Sequence, residues 1–240
     1  MGKIGILSFE SDTSADQALL AKRAESLGFE SFWLPEHPVL PLETRTPYRG
    51  SPDGAPPEVY GHIVDPFIAL ARASGVTTTI KLGTSVCLVP ERNPLLLGKE
   101  IATLDRYSGG RFIFGIGVGW LQEETEIMGG NFHFRWSQTR ESIAAMKGLW
   151  TKDQSEFHGQ YYDFPRLKCY PKPVQQPHPS IYLGGKTKNV FKRVIQWVDG
   201  WMPTETSAGE IRQGRAALDE LSETVGRGPK SIEITVLWRA

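Results

Sequence analysis

The sequence predicts an α/β fold built on a parallel sheet, and three observations carry that expectation. Seven short apolar runs alternate with six amphipathic stretches along the 240 residues. Several of these runs are apolar almost throughout, as parallel strands covered on both faces must be. The Gly-rich stretch SGGRFIFGIGVGW (108–120) follows the fourth run, whereas a dinucleotide-binding sheet needs its glycine turn after the first. The alternation fits a barrel or a doubly wound sheet. The place of the glycines favours the barrel.

Taken in order, KIGILSF (3–9) reads as a buried strand. SADQALLAKRAESLG (14–28) reads as a helix with a Ser14/Gln17 capping box, an apolar stripe of Leu20, Ala24 and Leu27, and Gly28 as its stop. FESFWLPEH (29–37) is the second strand. Residues 38–63 are rich in Pro and Gly and show no period, so they form one long loop of the kind that is usually functional. Asp65 with Pro66, and Asn93 with Pro94, are helix starts with a side-chain cap and Pro at the first helical position. Between those two helices lies the strand IKLGTSVCLVP (80–90), and Gly109–Gly110 end the second of them.

RFIFGIGVG (111–119) is the fourth strand. A mostly polar stretch leads to a helix over 135–150. Residues 151–179 break the rhythm and read as an insertion with a hairpin around His158–Gly159. Strands over 180–185, 200–204 and 231–238 then alternate with two further helices.

Lys plus Arg and Asp plus Glu balance at 27 each, so no long-range field recruits nucleic acid or an anionic membrane. Two cysteines are too few for a disulfide framework, and Cys87 reads as a small buried hydrophobe. No apolar run approaches a membrane span, and the N-terminal apolar run is too short for a signal peptide. A cytoplasmic protein acting on a small molecule is the default expectation. The scattered histidines lack metal-ligand spacing, and there is no nucleophile elbow.

The glycines fail the G-x-G-x-x-G test, because Trp120 and Gln122 stand where the third glycine belongs. Gly115, Gly117 and Gly119 instead share one face of a strand. Bare backbone at a strand's C-terminal end admits a flat group, and in a barrel that end carries the active site. Close packing inside the barrel is the alternative.

With the elements placed, RNPLLLGKEIATLDRYSGGRFIFGIGVGW (92–120) resembles the bacterial luciferase-like monooxygenase superfamily, most of all its branch of oxidoreductases using the deazaflavin coenzyme F420. GFESFWLPEH (28–37), DPFIALARASGVTTTIKLGTSV (65–86), IYLGG (181–185) and DGWMPT (199–204) support it in family order over nearly the whole chain. The resemblance implies one TIM-type (β/α)8 barrel domain over 1–240, with loop 38–63 and insertion 151–179 attached. It also implies a homodimer. One departure is that seven strands are counted where the family has eight. The expectation is therefore a barrel lacking the eighth strand, with two edges that need cover.

The resemblance also assigns roles. His37, at the second strand's end, takes the place of a histidine beside the cofactor's reactive ring and is the catalytic candidate, as acid/base or substrate orienter; a local loop hydrogen bond is the alternative. Glu36 beside it points the other way and ranks second. Ser85–Val86 matches a non-prolyl cis peptide that supports the ring, a bond the residues themselves leave open between cis and trans. Gly117, Gly119 and Trp120 line the ring's approach. Gly184, Gly185, Lys186 and Thr187 match the cofactor-phosphate site, read as the start of a helix whose free N–H groups suit an anion.

Trp120 replaces the acidic residue of the sugar-phosphate dehydrogenase branch, which argues against that substrate. Glu123, Glu124 and Glu126 read as a solvated face, and Arg92 and Arg111 as ion-pair partners of the strands. The activity implied is F420-dependent hydride transfer with an organic substrate. An FMN-dependent monooxygenase and a non-catalytic flavin or F420 binder are the alternatives. A lyase barrel is disfavoured because Lys81 sits at the wrong end of its strand.

Overall fold

The computed structural model describes residues 3–9, 11–12 and 14–238. Its main sheet runs through β1 (Gly5–Leu7), β2 (Ser31–Leu34), β3 (Lys81–Thr84), β5 (Phe112–Gly117), β8 (Ser180–Gly184), β9 (Gly200–Met202) and β10 (Glu233–Ile234), with β4 (Cys87–Leu88) added beside β5. Every neighbouring pair in this sheet is parallel. The path has the seven strands expected. Among the described residues no ladder joins β10 to β1, so the sheet is a curled, open barrel. Among those residues, too, no helix is long and apolar enough to cross a membrane.

The curl has a visible cause on the inner face. Trp33, Ile113, Tyr182 and Met202 form a small inner core, and Leu7 from β1 and Leu237 from just beyond β10 both pack against it. The two ends of the sheet thus close on one interior. Large rings are accommodated by glycines on the neighbouring strand. Trp33 is registered with Gly83, and a Cβ there would lie 2.3 Å from the indole. Tyr182 is registered with Gly200, where a Cβ would lie 2.4 Å from the ring. At Gly115 a Cβ would fall 1.9 Å from the Thr84 carbonyl oxygen.

The outer face carries the larger core, between the sheet and α1 (Gln17–Ser26), α2 (Pro66–Ser74), α3 (Pro94–Tyr107), α5 (Arg135–Thr151), α6 (Val190–Trp197) and α7 (Ala208–Thr224). Phe32 and Leu34 face it while Trp33 faces inward, as strand alternation requires. Asp65 and Asn93 cap α2 and α3 by accepting from the Ile68 and Leu95 amides, each with Pro next in the chain. The hairpin of β6 (Ser155–His158) and β7 (Asp163–Leu167) lies in the insertion where expected.

Three expectations need correction. α1 is capped by Asp16, not Ser14, whose hydroxyl donates to the Ser11 carbonyl instead. Its buried face is Gln17, Ala18, Ala21 and Ala24, and Leu27 is 58% exposed. Small residues let α1 lie close against its neighbours, so packing outvoted the leucine stripe. The strand over 80–90 is interrupted after Thr84 by a cis peptide between Ser85 and Val86. The polar stretch after β5 holds a further helix, α4 (Gln122–Ile127).

Candidate active site

The C-terminal ends of the parallel strands border a cleft of about 490 Å³. His37 enters it from the end of β2, Ser85 and Val86 from the break between β3 and β4, and Trp120 from beyond β5. The 38–63 loop folds over it and contributes Tyr48 and Tyr60. The loop that showed no sequence period is thus a wall of the site.

His37 is held on two sides. Its Nδ1 lies 2.8 Å from Glu124 Oε2, with the side chains 8% and 1% exposed. Its ring stacks on Tyr60 with centroids 4.5 Å apart, and Trp120 meets it edge-on at 6.1 Å. The Tyr60 hydroxyl is 3.1 Å from that of Tyr48, whose ring packs on Trp120. Glu124 reaches His37 because Leu121, Glu124 and Thr125 share the buried side of α4. The acidic run after β5 is therefore not a solvated face. Glu123 also turns inward, accepting from the Arg45 amide of the long loop at 2.7 Å.

Glu36 points away from His37, as alternation predicts. One carboxylate oxygen accepts from the Leu88 amide at 2.6 Å, and the other from Arg92 Nε at 2.7 Å and Arg92 Nη2. Arg92 also donates to Asp65 at 2.7 Å. Burial works against the Arg92 charge, but Glu36 outweighs it and raises the guanidinium above its ordinary range. Glu36 is thereby an anchor for the end of β2. Arg111 makes no ion pair among the described residues. It donates to the carbonyls of Ser74, Thr77, Ile80 and Ser108 and ties the sheet to α2.

A second cavity of about 380 Å³ shares only Glu36 and His37 with the cleft and is also lined by Glu91 and Arg92. Burial, then the charge of Glu124, push Glu91 up from 4.5 to about 8. At neutral pH Glu91 therefore keeps its proton. In the unfolded chain it loses that proton near 4.5, so the folded state binds the proton more tightly. Its contribution to stability is full below that pH and is lost as pH rises through about 8. Glu91→Gln is expected to match the wild type in thermal melts at pH 4.5 and to exceed it at pH 8.5, by about 3–5 kcal/mol. Equal melting differences at the two pH values would contradict this assignment.

The expected cofactor residues fall into two groups. The Ser85–Val86 peptide is cis. Ser85 Oγ is buried, has no hydrogen-bond partner, and belongs to a residue that lines the cleft. Gly117 does not offer open backbone, since Val86 Cγ2 fills the space 2.5 Å from where its Cβ would be. Gly184 stands likewise 3.0 Å from Val86 Cγ1. These glycines make room for the bulge at Val86 and reach the cleft only through it. Gly119 has φ +76° with Thr125 and Glu91 packed against it, and it turns the chain so that Trp120 enters the cleft.

Gly185, at φ +106°, faces open space. It does not begin a helix, because α6 starts at Val190. Lys186 Nζ donates to the Glu205 carbonyl at 3.1 Å, and Thr187 Oγ1 accepts from Arg193 at 3.1 Å. Arg193 lies over Trp136 and Arg135 over Phe132. Among the described residues neither arginine has a carboxylate partner, and Arg135 Nε is buried without any partner. The positive charge of this region thus comes from arginines at the starts of α5 and α6, as well as from Lys186.

The sequence profile of the luciferase-like monooxygenases matches residues 6–239. The chain belongs to that family. A protein of uncharacterised function from Mycobacterium tuberculosis (strain ATCC 25618 / H37Rv) is 37% identical over 226 residues, which is 93% of this chain and 79% of that protein. The F420-dependent glucose-6-phosphate dehydrogenase of Amycolatopsis mediterranei is 31% identical over 90% of this chain and 60% of its own length. The FMNH2-dependent dimethylsulfone monooxygenase of Pseudomonas putida is 29% identical over 67% of this chain and 45% of its own length. The fold matches monooxygenase RslO1 from Streptomyces bottropensis with a TM-score of 0.79 at 22% identity, covering 97% of this chain and 70% of that one. It matches an F420-dependent secondary alcohol dehydrogenase with 0.77 at 21% identity, covering 98% and 68%.

Family members are thus flavin- or F420-dependent oxidoreductases and monooxygenases, and the open barrel is a luciferase-like barrel. Within that frame, sequence reasoning located His37, Ser85–Val86 and Trp120, which all line the cleft. It missed Glu124, Tyr48, Tyr60 and the two arginines. A signal for Glu124 existed: Leu121, Glu124, Thr125 and Met128 have helical spacing with an apolar residue at each end.

Proposed function

We propose that this luciferase-like protein is a coenzyme F420-dependent oxidoreductase that passes a hydride between the deazaflavin and a small organic substrate. The observation that carries it is His37, buried beside the Ser85–Val86 bulge at the mouth of the barrel and backed by Glu124. The unpartnered Ser85 Oγ and Arg135 Nε fit a bound cofactor, since buried polar groups are otherwise satisfied. Ser85 and Val86 would hold the ring, with Trp120 and Tyr60 as walls. Gly185, Thr187 and Arg193 would hold the phosphate. When bound, the deazaflavin supplies a two-electron hydride carrier.

The protein's own part is orientation, exclusion of water and a proton at His37. Nδ1 is committed to Glu124, so Nε2 is the nitrogen left to serve a substrate. The aromatic cleft under the 38–63 loop suits a largely apolar molecule with one polar reacting group. Trp120 at the rim speaks against a sugar phosphate. Assembly as a homodimer belongs to the same proposal, and Ile68 and Leu96, exposed on α2 and α3, support it.

Titration of the purified protein with F420 and, separately, with FMN tests the cofactor. Quenching of F420 fluorescence at micromolar concentration, with FMN binding at least tenfold weaker, is the expected result. The reverse preference would replace the proposal with an FMN-dependent monooxygenase, a reading that the dimethylsulfone relative favours.

A further inference from the structure

Glu124 is a buried carboxylate whose side chain makes one hydrogen bond among the described residues, and that bond goes to His37. Its other oxygen, Oε1, is buried without a partner. Leaving such a group in an apolar interior is costly unless a donor compensates it. His37 Nδ1 is the group placed against the carboxylate, 2.8 Å from Oε2 and 87 residues away in sequence. Glu124 does not line the cleft, while His37 does.

The other groups around His37 leave this pairing without a competitor. Tyr60 and Trp120 present ring faces and edges, and the Tyr60 hydroxyl meets Tyr48. Glu36 and Arg92 are committed to each other. Glu91 accepts from Thr125 on α4 at 2.9 Å. That bond fixes the helix from which Glu124 projects. Glu91 keeps its proton at neutral pH, so it adds no second negative charge beside Glu124.

From this geometry we infer that Glu124 is a positioning residue for His37. Its carboxylate accepts the Nδ1–H and so fixes both the ring orientation and the tautomer that presents an unprotonated Nε2 to the cleft. Glu124 itself touches no substrate. The inference rests on the proposal that the cleft is the active site, but not on which cofactor the cleft holds.

The test is ¹⁵N NMR of the histidine rings in the cofactor-free protein. In the wild type the neutral His37 ring is expected as the Nδ1–H tautomer. Glu124→Gln keeps an acceptor oxygen at the same place, so the tautomer should persist. Glu124→Ala should lose the tautomer preference.

In turnover assays both variants should lower kcat by at least about tenfold with KM and cofactor affinity nearly unchanged. A wild-type ring in the Nε2–H tautomer would overturn the inference, as would a Glu124→Ala ring that keeps the Nδ1–H tautomer. The wild-type measurement stands even if the alanine variant does not fold. If F420 fails to bind while the Nδ1–H tautomer is found, the cofactor proposal falls and the positioning role stands.

Discussion

His37→Ala is expected to lower turnover by about 10²–10⁴-fold while changing cofactor affinity by less than about threefold. The measurement is oxidation of reduced F420 by a panel of small carbonyl, enone and nitro acceptors, beside a fluorescence titration of the same variant. Among the described residues the imidazole is the cleft's one histidine, with Glu124 behind it and Tyr60 beside it, so its removal deletes a placed proton donor and acceptor. Its loss leaves Ser85, Val86 and the Gly185–Arg193 region intact, which is why binding should survive. Unchanged turnover would remove His37 from the chemistry. An equal loss of binding and turnover would make it a wall of the cofactor site.

The largest expected effect on stability belongs to Arg92→Met. The Glu36 side chain is 1% exposed, and Arg92 supplies the positive charge against it. Removing one partner of a buried ion pair strands the other, at a cost of about 3–5 kcal/mol. Chemical denaturation should show that loss, and the double variant Glu36→Gln/Arg92→Met should recover most of it because the fully buried carboxylate no longer carries a charge. A single variant within about 1 kcal/mol of the wild type would show that the Leu88 amide compensates Glu36 without Arg92. Glu36 and His37 are adjacent and point opposite ways, so a loosened Glu36 should also blur His37. A fall in kcat beyond the loss of folded protein would report that coupling.

Much of the fold was legible because its signals are local. Asp65–Pro66 and Asn93–Pro94 cap their helices through side chains two or three residues from the amides they bind. Gly28 and Gly109–Gly110 end helices with positive φ. The alternation within SFWL separates outer Phe32 and Leu34 from inner Trp33. The failures are instructive. Ser14 had the right chemistry for a cap, but Asp16 lies one residue before the helix and took the role. The glycines of β5 were read as clearance for a ligand, whereas Thr84 of β3 and Val86 of the break after it occupy that space. Nothing in the β5 sequence tells what stands opposite it.

By itself, then, the sequence determined the order of elements, the seven-strand parallel path, the family and the strand ends that border the cleft. These follow from patterns with periods of two and 3.6 residues and from caps that act within one turn. Only the tertiary structure decided which charges meet. Glu124 finds His37 across 87 residues and Arg92 finds Glu36 across 56. Buried charges must be compensated wherever the chain places them, and in a curled sheet their partners come from other strand ends. Spacing along the chain carries no record of that distance, so the cleft's histidine could be named from the sequence but not the carboxylate 2.8 Å behind it.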